Sequence, residues 1–339
     1  MNPMPNNTMH ITESQNILNS VLNSRYTGIL YILIKLDIPE LCKDKFQTAE
    51  ELAITTNSRP EALKRIIETA CALGVFEKKG TAFRLSASGY PLLKNSDESV
   101  AHVILWIYEW KRKVWDHVLY TVKTGKPAFD KVYGKSLFDF LTENPAAQKL
   151  FNQVMTQRTR TDAEGILNNY DFSGNKIIAD IGGSTGFLLS EILKKHPKTE
   201  GILFDFKGIT DKTENYIKRS GLENRCRIIS GDFFTNIPAE ADLYILKEVL
   251  HDWNDQKVKK ILINCRKAMP QHAKLLIIEH LKDINNSASL LLDVSMMLTT
   301  GGKERTVEEF SALLNETGFK ITHVHRAGQS LQMTECTKQ

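Results

Sequence analysis

From about residue 173 the sequence alternates short apolar strands with amphipathic helices. KIIADI (176–181) reads as a strand and FLLSEILKKH (187–196) as a helix. GILFDF (201–206) is a strand, followed by a helix through NYIKRS. CRIISGDFF and ADLYILKEV are strands separated by a short loop. A helix at 255–269, the strand KLLIIEH, helices at 287–299 and 306–317, and the strands FKITHVHRA and SLQMTEC complete the chain. Such alternation predicts an α/β fold, a mostly parallel sheet with helices on both faces, because parallel neighbours need a crossover between them. The last two strands, joined tightly, predict an antiparallel hairpin. Sheets of this kind hold ligands beyond the carboxyl ends of their strands, so the residues at those ends bear most directly on function.

The first strand ends in Asp180-Ile181-Gly182-Gly183-Ser184-Thr185-Gly186. Read from Gly182, a dinucleotide fingerprint needs glycines at 184 and 187, where Ser184 and Phe187 stand, so G-x-G-x-x-G fails. The three glycines still permit close backbone approach, although a plain strand–helix turn is an equal reading of the loop alone. The second strand ends in Asp205, placed to accept two ribose hydroxyls or to stand as a solvated acid. The third ends in Gly231-Asp232-Phe233-Phe234, an acid for an adenine amino group and an aromatic to cover the ring, or two core phenylalanines. Together the three ends fit a nucleoside without pyrophosphate, such as S-adenosylmethionine (SAM), better than a dinucleotide. The next strand runs into LKEVLHDWND (246–255), which sets His251 and Trp253 between strand and helix.

Residues 12–112 read as mostly helical, with the pattern of a winged helix-turn-helix. Thr48-Ala49-Glu50-Glu51 is a capping pattern, Pro60 opens the next helix, Gly74 stops it, and VFEKKGTAFRLS is a two-stranded wing turning at Lys79-Gly80. A DNA reader concentrates cationic charge. Residues 1–100 instead hold 11 Lys+Arg and 11 Asp+Glu, so a packing or dimerisation module is the better reading. Residues 101–170 form an aromatic-rich helical connector with Trp106 and Trp110 at i, i+4 spacing, as are Phe151 and Met155 further on. A net charge of +4 argues for neither nucleic acid nor an anionic membrane. The longest apolar stretch is too short to span a bilayer. The five scattered cysteines show no metal or disulfide spacing, and the first ten residues carry no secretory pattern. A cytoplasmic protein without metal is expected.

DIGGSTG, GILFDF, SGDFF, ADLYILKEVLHDWND and GGKERT (301–306) resemble, in this order, the motifs of the SAM-dependent O-methyltransferases of the plant caffeate/flavonoid type and their bacterial natural-product relatives. The resemblance covers nearly the whole chain. It implies a winged-helix-like dimerisation domain over 1–112 and a class I, Rossmann-like methyltransferase domain with a seven-stranded sheet over 113–339. In that second domain 113–172 is the helical connector and 173–339 the core. It further implies a homodimer, SAM as cofactor, and a small aromatic acceptor. By motif position Gly182, Asp205, Asp232, Phe233 and Lys247 contact SAM, His251 is the general base, and Glu279 and Glu304 are the carboxylates flanking it. Met155, Asp252 and Met297 are candidates for the acceptor pocket; the methionines read equally as core. Two departures stand out: Ser184 replaces the usual third glycine, which the loop accommodates if its φ is negative, and F-D-F-K at 204–207 loses a proline.

Methyl transfer from a sulfonium is an in-line displacement in which the acceptor oxygen loses a proton. A phenol near pKa ~10 and an imidazole near ~6.5 differ by about 5 kcal/mol at ~1.36 kcal/mol per unit. A carboxylate on the far ring nitrogen lessens that gap. The start of the 255–269 helix is expected to favour the neutral imidazole. Without such partners His251 reads as a core histidine, Glu279 and Glu304 as strand-end and surface acids, Lys247 as a snorkelling lysine, and Trp253 as a core plug near the adenine side. N- or C-methylation, SAM binding without methyl transfer, and a SAM-sensing DNA-binding regulator are the competing readings.

Overall fold

The computed structural model describes residues 13–206, 210–327 and 331–339. Lys207, the last residue of the altered F-D-F-K, and the first ten residues lie outside them. Two compact units divide the chain, Met1–Glu109 and Trp110–Gln339.

In the first unit, helix Ala49–Thr56 opens with the expected capping box. Thr48 accepts from the Glu51 amide, and the Glu51 carboxylate accepts from the Thr48 amide. Helix Pro60–Ala72 follows, and Gly74 leaves it with φ 77°. Three short strands, β1 (Gln47–Thr48), β2 (Phe76–Lys79) and β3 (Ala82–Leu85), form the wing, ordered β1-β3-β2. Around Trp106 the expected α-helical spacing is not kept, because the chain loosens into a π-helical turn at Ile107–Lys111.

The second unit is built on seven strands: β4 (Ile177–Ile181), β5 (Glu200–Asp205), β6 (Cys226–Ser230), β7 (Leu243–Lys247), β8 (Lys274–His280), β9 (Phe319–Ala327) and β10 (Leu331–Lys338). Their order is β6-β5-β4-β7-β8-β10-β9. The first five are mutually parallel, and β10 runs antiparallel to both β8 and β9. β4, β5, β7 and β8 are buried along nearly their whole length, as apolar strands covered on both faces must be. One core, around Ile181, Phe204, Tyr244, Leu246 and Ile277, packs helices Asp255–Ala268 and Val307–Glu316. The other, around Ile178, Leu203, Ile245 and Leu276, packs helix Phe187–Lys195 and the end of helix Pro145–Asn169. Strand order reverses at β4, whose neighbours are β5 and β7. The crevice beyond their carboxyl ends is the ligand position of such a sheet.

Candidate functional site

The loop after β4 enters this crevice with Gly182 at φ 75°, Ser184 at φ 52° and Gly186 at φ 77°. The negative φ set as the condition for a serine at 184 is not met, yet the loop accommodates it. A left-handed residue here aims its amide at Asp205 Oδ2, 2.8 Å away, while Thr213 Oγ1 donates to its carbonyl at 3.1 Å. These bonds offset the strain a non-glycine residue incurs in the left-handed region. Gly183 leaves no room for a side chain: an added Cβ would stand 2.4 Å from Leu203 Cδ1 and 2.5 Å from Asp180 Oδ2. Asp205 ends β5 almost fully buried, and its Oδ1 accepts from the Phe206 amide at 2.7 Å. Burial pushes its carboxyl up to about 6, against the two amide bonds.

Gly182, Asp205, Phe233 and Lys247 line one cavity, together with Met155 and Asp252. Asp232 lines a second cavity, which shares Phe138, Phe151, Phe206 and Trp253 with the first. Its Oδ1 is taken by the Phe234 amide at 2.8 Å. Met297 lines neither. Trp253 belongs to an aromatic wall more than to the core: Phe138 stacks on it at 5.3 Å, Phe234 meets it edge-on at 4.8 Å, and the Lys257 ammonium lies 4.5 Å from its ring centre. Lys247 does not snorkel. It is buried, with Asp162 at 3.0 Å and Glu248 in contact.

His251, Glu279 and Glu304 come from three separate segments and meet with their ligand atoms within 4.8 Å of one another. His251 sits in a 3-10 turn, Leu250–Asp252, between β7 and helix Asp255–Ala268. Its Nδ1 is 2.9 Å from Glu304 Oε1 and 3.6 Å from Glu279 Oε2. Glu279, on β8, turns its other oxygen to the main chain of the turn, accepting from the amides of Val249, Leu250 and His251 at 3.1, 2.8 and 3.4 Å. The Glu304 amide donates to Asp293 at 3.0 Å. All three site residues are at least 95% buried and line neither cavity; their neighbour Asp252 lines the first.

Burial and the two acids pull His251 in opposite directions. Burial disfavours the imidazolium, but the charge of Glu279 and the hydrogen bond that the ring donates to Glu304 outweigh it and raise the imidazole to about 10. The expected dominance of the helix start, favouring a neutral ring, does not hold: a half-charge at a helix terminus competes with two carboxylates inside 4 Å. Burial likewise raises Glu279 to about 7, with Glu304 and Glu248 adding to it and His251 opposing. One imidazolium cannot satisfy two buried carboxylates, so the acid less tightly bonded to the ring holds its proton more firmly. Among the described residues, the buried oxygens Glu279 Oε2 and Glu304 Oε2 meet no hydrogen-bond donor. Three such donors are of a kind and number that can also hold a divalent cation.

Sequence reasoning overlooked the charges beneath the cavity. Glu248 pairs with Lys247 and with Arg158, and Asp162 pairs with Lys247. Burial pushes Glu248 up, but Arg158 and Lys247 overcome it and hold it well below the usual range. Glu248 has φ 51°. A signal existed: Arg158 and Asp162 are four apart on one helix and so share a face.

Residues 115–320 match the model of a family described as an O-methyltransferase domain. The phenazine O-methyltransferase PhzM of Lysobacter antibioticus is 36% identical over 326 residues, which are 94% of this chain and 96% of that protein. The solved structure of LaPhzM is similar at a TM-score of 0.93 and 34% identity, covering 97% of this chain and 100% of that one. NcsB1, an O-methyltransferase from neocarzinostatin biosynthesis solved with SAM and 2-hydroxy-5-methyl naphthoic acid, reaches 0.80 at 26% identity, over 93% of this chain and 96% of its own.

Proposed function

The chain belongs to the SAM-dependent O-methyltransferase family, and from that premise we propose that His251 is the base that deprotonates a phenolic hydroxyl of a small aromatic natural product. The observation that carries this reading is the 2.9 Å bond between His251 Nδ1 and Glu304, with Glu279 behind it. A ring anchored through Nδ1 keeps Nε2 for an acceptor. With its proton affinity raised by the two acids, the imidazole, once free of its own proton, takes a phenolic proton at less than the about 5 kcal/mol that an unsupported histidine would require. Glu304 holds the proton-bearing ring in place, and Glu279 fixes the turn that presents it.

The glycine-lined loop, the buried Asp205 and the aromatic wall fit SAM, with Gly182, Asp205, Phe233 and Lys247 as its contacts and Asp232 at the adjoining cavity. Bound there, SAM supplies a methyl group made electrophilic by its sulfonium. Met155 and Asp252, on the wall of the same cavity, are the side chains assigned in this reading to the acceptor. Naphthoic acid in NcsB1 and phenazine in the name of the Lysobacter enzyme support a planar aromatic acceptor. Asp205→Ala is expected to weaken SAM binding by about 1–3 kcal/mol, the scale for hydroxyl partners lost from a buried site; an unchanged calorimetric affinity rejects the placement.

His251→Ala is expected to leave SAM affinity nearly intact and to lower turnover by roughly 10²–10⁴-fold. The acidic limb of the pH–rate profile reports the ring losing its proton before it can serve as base. Glu304→Gln removes what holds that proton, so the limb is expected to move to lower pH while the plateau falls by less than in His251→Ala. A limb that stays in place rules Glu304 out as the partner.

Assembly and location follow the same reading. Ile17, Leu18, Val21 and Leu22 are exposed along one face of helix Glu13–Asn23, which supports a homodimer formed through the N-terminal unit. Among the described residues no helix is long and apolar enough to cross a membrane. The five cysteines are free, which supports a reducing, cytoplasmic location. Light scattering at micromolar concentration is expected to give twice the chain mass; a monomer mass refutes the dimer.

A further inference from the structure

We propose that Arg305 is a positioning residue for His251, acting on the main chain of the turn that carries it; this rests on the reading of His251 as the base. Arg305 is the largest fully buried side chain among the described residues. Its Nη1 donates to Leu250 O at 3.0 Å and its Nη2 to Trp253 O at 2.7 Å, so the guanidinium bridges the two ends of the turn around His251. Nε and Nη2 both reach Asp255 Oδ1, at 3.0 and 2.9 Å, which fixes the plane of the fork.

Neighbouring residues tighten the same grip. The Lys303 amide donates to His251 O at 3.0 Å. A Cβ on Gly302 would stand 2.0 Å from that same oxygen, so only glycine admits this approach. On the other side, the Lys282 amide donates to Arg305 O at 2.9 Å, tying the segment to the end of β8. Glu304 and Arg305 are adjacent, so one dipeptide holds both the imidazole and the backbone that aims it. With Glu279 occupying the amides of residues 249–251, the polar main chain of the turn is held from two directions.

Stability alone does not call for this arrangement. A buried charge is costly to desolvate, and well-packed apolar groups often serve stability as well. What the guanidinium offers is a planar fork with five donors, which an ammonium cannot reproduce. Arg305→Lys keeps the charge and loses the fork, so its effect on His251 reports geometry rather than electrostatics.

The test is an NMR titration of the imidazole Cε1–H resonance in protein saturated with S-adenosylhomocysteine, with the His251 signal assigned by its loss in His251→Ala. The variants are Arg305→Lys and Asp255→Asn; the second loosens the guanidinium without removing it and decides alone if the first does not fold. The expected result is a His251 pKa lowered by one unit or more in Arg305→Lys and by less in Asp255→Asn, with S-adenosylhomocysteine affinity changed less than about threefold. A His251 pKa unmoved in the folded variants overturns the proposal. So does a tenfold or greater loss of S-adenosylhomocysteine binding in them, which marks a general structural support. Full turnover in His251→Ala with the pKa displaced as expected refutes the base and leaves the positioning contact standing.

Discussion

One buried oxygen organises the site. Glu279 Oε1 gathers the amides of Val249, Leu250 and His251, while its partner oxygen stands 3.6 Å from the imidazole. The end of β8 thereby sets both the backbone and the charge environment of a turn that belongs to the neighbouring strand. Because β7 and β8 are hydrogen-bonded neighbours through Leu246↔Ile277 and Lys247↔Ile278, the relation between acid and turn is fixed by sheet register. A one-residue slip would turn Glu279 to the other face.

The same low-dielectric setting explains why so many charges gather beneath the cavity. Lys247, Glu248, Asp162 and Arg158 pair with one another, while His251 is paired with Glu279 and Glu304. Burying charges in compensating sets limits the desolvation cost. It also keeps the environment of His251 fixed: the aromatic wall of Phe138, Phe234 and Trp253 lies next to the turn, and Trp253 O is itself a hydrogen-bond acceptor in the support beneath it.

Much of this was legible in the sequence because it is carried by periodicity and by strand-end residues. Alternating KIIADI, FLLSEILKKH and GILFDF dictate a parallel sheet, and the capping pattern at Thr48 and the stop at Gly74 mark helix ends locally. His251, Glu279 and Glu304 were legible through motif resemblance, which spans the distance in sequence between them. What stayed hidden depends on tertiary detail. The φ of Ser184 is decided by an acceptor on another strand, Asp205. The ionisation of His251 is decided by carboxylates 28 and 53 positions away, not by the helix next to it. Arg305 reads as one more charge after Glu304 until its fork is seen around the turn.

Proton acceptance by His251 is tested most directly by single-turnover methyl transfer to a phenolic acceptor, comparing wild-type protein with His251→Ala from pH 7 to above the acceptor's pKa. If the ring serves as base, the deficit of the variant shrinks as bulk solvent ionises the phenol, since a phenolate needs no base. A deficit of constant size across that range would contradict the assignment and make His251 a residue that only orients the acceptor.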